Sequence, residues 1–143
     1  MYLWNKSLAM KKFTFVLLIA VLLVFALLTI FMTNSVIFDL FGIREKEGNF
    51  VPFVVWANWF CGFLYLAAAY GLAKKKEWTI QVLSIALAVL IITFTGLVFY
   101  IYTGGIYETK TVGAMLFRIA VTLAFAFLAR NAINTNFKAN KQK

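Results

Sequence analysis

The sequence has no histidine, one cysteine, one proline and only five acidic residues in 143 positions. Without histidine, the usual b-type haem ligation and histidine-based metal or catalytic sites are excluded. The single cysteine, Cys61, cannot form an intramolecular disulfide. There is no glycine-rich phosphate loop. Glu45 and Glu47 are two residues apart in a predicted solvated loop and do not form a catalytic pair on one helix face. We therefore expect a protein with no catalytic chemistry of its own, no cofactor and no bound metal.

Apolar residues dominate what is present: 64% of the chain is hydrophobic and 13% is charged, whereas soluble domains carry roughly 25% charged residues. Four apolar runs are each close to or above the ~20 residues that cross a bilayer as a helix. They cover 13–33, 50–72, 79–103 and 112–129. Backbone groups inside lipid must be paired within the segment, so these runs must be helices. The first is too long for the ~7–15-residue core of a signal peptide and is expected to remain uncleaved.

The sequence thus predicts an all-α integral membrane protein, a single domain over 1–143 built as an antiparallel bundle of four transmembrane helices. Basic residues predict its orientation. Ten of them fall on one side of an alternating topology: Lys6, Lys11, Lys12, Lys74, Lys75, Lys76, Arg130, Lys138, Lys141 and Lys143. The other side has only Arg44, Lys46 and Lys110. By the positive-inside rule both termini are cytoplasmic, and 130–143 is a polar, basic cytoplasmic tail that frays.

This charge distribution also predicts the partners of the chain. The lysines lie where the apolar runs end, so we expect them to meet anionic headgroups on the cytoplasmic face, at about 1 kcal/mol each. Despite the net charge of +9, no nucleic-acid partner is expected. The bilayer is the expected environment, a bacterial inner membrane the expected location, and another membrane protein or a second copy of the chain a possible partner.

The connections carry further predictions. The stretch 34–49 contains near its start the run SVIFDLFGI (35–43), which is too apolar to stand in water. It is expected to form a short interfacial segment between the first two helices, with Asp39 directed at water or at the bundle. Tryptophans near the predicted helix boundaries, Trp4, Trp56 and Trp78, are expected to anchor the chain at the membrane interface.

Small and polar residues at helical spacing predict which helix faces meet, because such residues allow close packing in lipid. On the second helix the stripe is Asn58, Gly62, Tyr65 and Ala69; on the third it is Gln81, Ser84, Ala88, Ile91, Thr95, Val98 and Tyr102; on the fourth it is Ala114, Arg118, Thr122 and Ala126. Such stripes are more often packing surfaces than binding sites.

Arg118 is the one charge inside an apolar run. Unsupported, it would cost from ~3 to more than 10 kcal/mol near the membrane centre. Depth along the helices predicts a polar pocket near the outer surface, formed by Arg118, Asn58, Thr95, Tyr100, Thr29 and Asp39. Two interpretations stay open. Either Asp39 or Glu108 neutralises the arginine and ties a loop to the bundle, or the arginine binds an anionic or carbonyl-bearing ligand or gates a path.

In size and layout the chain resembles small bacterial inner-membrane proteins of the DoxX-like and small-multidrug-resistance kinds. The latter family carries a glutamate in its first helix, whereas 13–33 contains only apolar residues and threonines, so its proton-coupled chemistry is not expected. An accessory, scaffold or self-associating subunit is the favoured function. The alternative is a small transporter or ligand-binding protein with an outward-facing pocket around Arg118. A third class is an enzyme subunit that positions a quinone or lipid against the second and third helices.

The predicted orientation can be tested with reporter fusions placed after Lys75 and after Lys143. Both sites follow basic clusters, so a reporter active only in the cytoplasm is expected to be active at both. The same reporter fused after Gly105, in the predicted outer turn, is the opposite control and is expected to be inactive. An extracytoplasmic signal at Lys75 or Lys143 would contradict the orientation.

Overall fold

The computed structural model of the protein describes residues 2–43, 45 and 48–141, and side chains within 12–43, 45 and 48–134. In this part of the chain there are four long helices and no strands. They are α1 (Tyr2–Ile37), α2 (Pro52–Ala73), α3 (Trp78–Tyr102) and α4 (Thr109–Lys141). Each contains a segment long and apolar enough to cross a membrane: Lys12–Ile37, Pro52–Ala73, Trp78–Tyr102 and Thr109–Asn134. The predicted all-α, four-helix class is confirmed.

Helices α1 and α4 extend further than the apolar runs predicted. No glycine or proline occurs between Tyr2 and Ile37, or after Gly113, to stop either helix. The tail expected to fray therefore continues α4 as helical backbone through Lys141. At the other end, α1 takes in Asn34–Ile37, where the Ser35 hydroxyl donates to the Phe31 carbonyl at 2.7 Å. The predicted anchor Trp4 and the basic residues Lys6, Lys11, Lys138, Lys141 and Lys143 lie outside the described side chains, whereas Lys12 and Arg130 are described and exposed.

Local sequence explains where the inner helices begin and end. Pro52 occupies the first turn of α2 after the extended residue Val51, a position where the missing proline N–H costs nothing. At the end of α3, Gly104 takes a left-handed conformation with φ of 90°, and the Gly105 N–H donates to the Tyr100 carbonyl at 2.9 Å. This is the Schellman arrangement that ends many helices, and glycine adopts it without steric cost.

The helices pack in chain order. α1 contacts α2 most extensively, α2 contacts α3, α3 contacts α4, and α1 and α4 touch least. Buried side chains repeat at intervals of three and four along each helix, as side-by-side helix packing requires. They include Leu18, Leu22 and Ala26 on α1, Cys61, Tyr65, Ala68 and Leu72 on α2, and Met115, Thr122, Phe125 and Ala129 on α4.

The predicted stripe on α3 is wrong. All of its seven residues, Thr95 and Tyr102 among them, are exposed. The helix instead buries a stripe rotated from it: Thr79, Leu83, Ala86, Leu90, Thr93 and Leu97. The reason is that a helical hydroxyl can bond its own backbone: Ser84 donates to Ile80 O at 2.8 Å and Thr95 to Ile91 O at 2.9 Å. Such residues need no neighbouring helix, so leucine and alanine packing selects the buried face.

The turn between α2 and α3 allows a close approach at Gly71. A Cβ at this position would lie 2.8 Å from Trp78 Cη2 and closer still to Thr79 Oγ1. The Thr79 hydroxyl oxygen is itself buried and has no hydrogen-bond partner among the described residues. Only glycine therefore lets the end of α2 meet the start of α3 at this distance.

We expect Gly71→Ala to lower the free energy of unfolding by about 1–3 kcal/mol, because the added methyl overpacks this contact. The matched control is Gly113→Ala on α4, where a Cβ meets nothing within 4 Å. Higher helix propensity should make that variant more stable by about 0.8–1 kcal/mol. The measurement is thermal or denaturant unfolding in detergent micelles, and equal shifts in the two variants would contradict the close approach.

Candidate functional site

Arg118 lies nine residues into α4, about 14 Å along the helix at ~1.5 Å per residue, and its side chain is partly buried. Its Nη1 donates a hydrogen bond of 2.9 Å to the Thr29 hydroxyl of α1, and Thr29 is only 2% exposed. The guanidinium carbon lies 5.7 Å from the centre of the Phe25 ring, also on α1. The arginine therefore joins α4 to α1 through one hydrogen bond and one cation–π contact.

A chain of hydroxyls supports the arginine from the backbone side. Thr122 Oγ1 donates to the Arg118 carbonyl at 2.7 Å, and it lies 2.6 Å from the Tyr65 hydroxyl of α2. A threonine hydroxyl has one proton, so with that proton on the Arg118 carbonyl it accepts from Tyr65. Tyr65 and Thr122 are both fully buried. The turn of α4 that carries Arg118 is thereby fixed to α2, with Phe25 packed edge-on against the Tyr65 ring at 5.1 Å.

A groove opens beside the arginine, and we call it the Arg118 groove. It has a volume of about 310 Å³, which is at the small end of the ~300–1,000 Å³ typical of ligand pockets. The last turns of α1, the first turns of α2 and the first turns of α4 line it. The lining residues are Met32, Thr33, Val36, Phe50, Val51, Val54, Val55, Asn58, Lys110, Thr111, Ala114, Met115 and Arg118.

Asn58 is the most unusual residue of the groove. Its side-chain amide oxygen is buried and has no hydrogen-bond partner. An unmatched buried acceptor costs about 1–3 kcal/mol, and buried polar atoms in folded proteins nearly always have a partner. The groove therefore contains a hydrogen-bond acceptor that the described part of the protein leaves unused.

The structure brings together three of the six predicted pocket residues. Arg118 and Asn58 line the same groove, and Thr29 holds the guanidinium. The other three are elsewhere. Thr95 is exposed on α3, and the Tyr100 hydroxyl donates to the Ile106 carbonyl at 3.1 Å.

Asp39 is the third residue outside the groove. It is exposed in the turn after α1, where its φ is 54°. Asp39 therefore does not supply the expected counter-charge. Glu108 does not supply it either, because its Oε1 accepts the Asn49 N–H at 3.0 Å. Among the described residues, no carboxylate contacts Arg118.

The sequence did not predict several contacts around Arg118 and between α1 and α2. Phe25 carries no polar signal in an apolar run, so nothing marked it as the ring beneath the arginine. The sequence predicted no partner for Trp59, yet its Nε1 donates to Asn34 Oδ1 at 2.8 Å and ties α2 to the end of α1. Tyr65 and Thr122 did appear on predicted stripes, but the hydrogen bond between them needed coordinates.

The described residues contain no candidate metal site, because no group of three or more His, Cys, Asp or Glu side chains among them is close enough to hold an ion. Cys61 is fully buried, and its sulfur lies 3.8 Å from the Ala86 carbonyl across the α2–α3 contact. It packs two helices together there.

Comparison with known proteins adds no family. No protein-family model matches the sequence, no curated protein matches it, and no solved structure matches it. The function is therefore inferred from the groove alone.

The hydroxyl chain makes a quantitative prediction. Thr122→Val keeps the shape but removes the bond to the Arg118 carbonyl and leaves the buried Tyr65 hydroxyl unpaired, so we expect unfolding in micelles to become easier by about 1–2 kcal/mol. Thr95→Val is the matched control, since that hydroxyl bonds only its own helix and should change stability by less than about 0.5 kcal/mol. Equal effects would show that the cross-helix bond contributes nothing.

Proposed function

We propose that the protein is a multi-pass membrane protein that binds a small anionic or carbonyl-bearing molecule in the Arg118 groove, as a ligand-binding protein or a small transporter. One observation carries the proposal: the guanidinium lines a groove in which no described residue is a carboxylate. An arginine within a membrane-spanning segment needs hydrogen-bond acceptors to offset lost hydration. Thr29 accepts one of its five N–H groups, which leaves the others for water or a ligand.

The orientation of the groove follows from the helix contacts and the charge pattern taken together. The groove joins the end of α1 to the starts of α2 and α4, and Gly71 near the end of α2 meets Thr79 near the start of α3. These contacts support antiparallel neighbours. Because basic residues concentrate at the opposite end, the positive-inside rule supports an outward-facing groove with both termini in the cytoplasm, in a bacterial inner membrane.

An accessory or self-associating role is the second proposal. It is supported by the loose contact between α1 and α4 and by an apolar depression on α1 lined by Ala20, Val21, Val24, Phe25 and Leu28. A second helix seated there would cover the depression. The two proposals are compatible, and neither assigns a reaction to the chain.

Arg118 variants test the first proposal. The probes are hexanoate and hexanamide, one anionic and one carbonyl-bearing, and binding is measured by calorimetry on purified protein in micelles. A charge-assisted hydrogen bond contributes about 1.5–3 kcal/mol, so Arg118→Gln should weaken binding of the preferred probe by at least about tenfold. Arg118→Lys keeps the charge but loses the planar guanidinium, so its affinity for the probe should lie between those of the unmodified protein and Arg118→Gln.

Arg130→Gln is the matched control, since Arg130 is exposed three turns further along the same helix. It should bind as the unmodified protein does. Unfolding curves of every variant show whether a loss of binding is a loss of fold. The proposal fails if neither probe binds the unmodified protein, or if Arg118→Leu leaves binding unchanged.

A further inference from the structure

Two side chains that line the Arg118 groove carry hydrogen-bonding groups that no described residue matches: Arg118, with N–H donors beyond the one given to Thr29, and Asn58, whose amide oxygen is buried without a partner. We propose that the ligand is an amphiphilic carboxylate with a neutral hydroxyl or amide N–H beside its carboxylate, as in an α-hydroxy acid. The carboxylate meets Arg118, the neutral donor meets Asn58, and the apolar part meets the groove wall. This inference rests on the proposed function and names the ligand class of the same site.

The arginine selects a single negative charge. A guanidinium presents parallel N–H groups in one plane, which match the two oxygens of a carboxylate. Arg118 is the one guanidinium that lines the groove in the described part of the chain. Lys110 also lines it, but this lysine is exposed in the first turn of α4, where water screens its charge. A phosphate dianion would bring a second negative charge into a site of low dielectric, where an incompletely matched charge is expensive. A monoanionic carboxylate is therefore the better fit.

Asn58 selects a donor, and its surroundings select a neutral one. The amide oxygen is buried and accepts from no described group, so a ligand O–H or N–H relieves the cost of an unmatched acceptor. An ammonium could donate as well, but it would enter a groove that is already lined by the Arg118 and Lys110 charges and by no described carboxylate. Like charges in a poorly screened site repel. A hydroxyl or amide N–H donates without that penalty.

The remaining wall of the groove selects an apolar group. Seven of its side chains are aliphatic or thioether: Met32, Val36, Val51, Val54, Val55, Ala114 and Met115. They line a volume of about 310 Å³, and burying a methylene against such a surface is favourable in transfer from water. A short alkyl chain uses this wall, whereas a fully polar ligand leaves it uncovered.

The experiment measures binding of a matched six-carbon series to the purified full chain in micelles by calorimetry. The probes are α-hydroxyhexanoate, hexanoate, α-aminohexanoate, α-hydroxyhexanamide and hexyl phosphate. We expect α-hydroxyhexanoate to bind tightest. Loss of its hydroxyl or exchange for ammonium should weaken binding at least fivefold, and loss of its charge at least tenfold. Hexyl phosphate should bind more weakly than the hydroxy acid.

Asn58→Leu assigns the hydroxyl preference to one residue. Leucine has nearly the shape of asparagine and no unmatched acceptor, so this variant should unfold at an equal or higher temperature. It should lose the preference for α-hydroxyhexanoate over hexanoate. A partner within the protein would instead make Asn58→Leu less stable, and that result would overturn the role given to Asn58.

The source of the acid is tested with α-hydroxyhexadecanoate in phosphatidylcholine vesicles. Competition by this long acid against the short one supports the same recognition with entry from the bilayer, and binding of the short acid alone supports entry from water.

The other outcomes distinguish a wrong ligand class from a wrong proposed function. If hexanoate binds in an Arg118-dependent way but α-aminohexanoate or hexyl phosphate binds as well as the hydroxy acid, the ligand class is wrong while the proposed function stands. If no probe shows Arg118-dependent binding, both fail.

Discussion

The hydrogen bond between Arg118 and Thr29 closes the bundle where it is otherwise weakest. Helices α1 and α4 make the least extensive contact of the neighbouring pairs, and the arginine crosses that gap to a buried hydroxyl 2.9 Å away. The same turn of α4 is fixed to α2 through Thr122 and Tyr65. Three helices thus meet around one charged residue. In lipid, where apolar surface gains little from burial against another helix, such polar contacts and close packing carry much of the association.

The contacts that hold Arg118 leave its positive charge without a described counter-charge. A carboxylate partner would neutralise the guanidinium, but Asp39 is exposed in a turn and Glu108 accepts from Asn49. A threonine hydroxyl and an aromatic face stabilise the cation without cancelling its charge. The residual positive charge favours an anion, whereas the unmatched oxygen of Asn58 favours a hydrogen-bond donor, and the proposed ligand combines the two. A purely structural arginine would have no need of the second feature.

The sequence predicted the helices well and their faces unevenly. Apolar runs of membrane length imply helices because lipid offers the backbone no other partners, and this argument holds whatever the neighbours are. Faces depend on neighbours. On α3, serine and threonine satisfied themselves within the helix, so polarity gave the wrong side, and leucine and alanine packing gave the right one. On α2, Tyr65 was placed correctly, and its hydroxyl meets the Thr122 hydroxyl of α4.

The residues of the candidate site were likewise predicted only in part. Depth along the helix axes brought Arg118, Asn58 and Thr29 to one level, and the structure has the first two in one groove and the third bonded to the arginine. Depth alone also admitted Thr95 and Tyr100, since residues at one level can lie on opposite sides of a bundle. Only rotation about each axis separates them, and that rotation is fixed by contacts distant in sequence, such as Trp59 with Asn34.

The position of the groove follows from the order of packing. α2 contacts α1 and α3 along its length and reaches α4 through Tyr65, so it is the element least able to move. α1 and α4 are each fixed to a neighbour but only loosely to each other, and the groove lies at the end where both line it with α2. Regions of low packing density open at lower free energy than the rest of a fold. A ligand could therefore enter between α1 and α4 without disturbing the contacts among α1, α2 and α3 that hold the protein together.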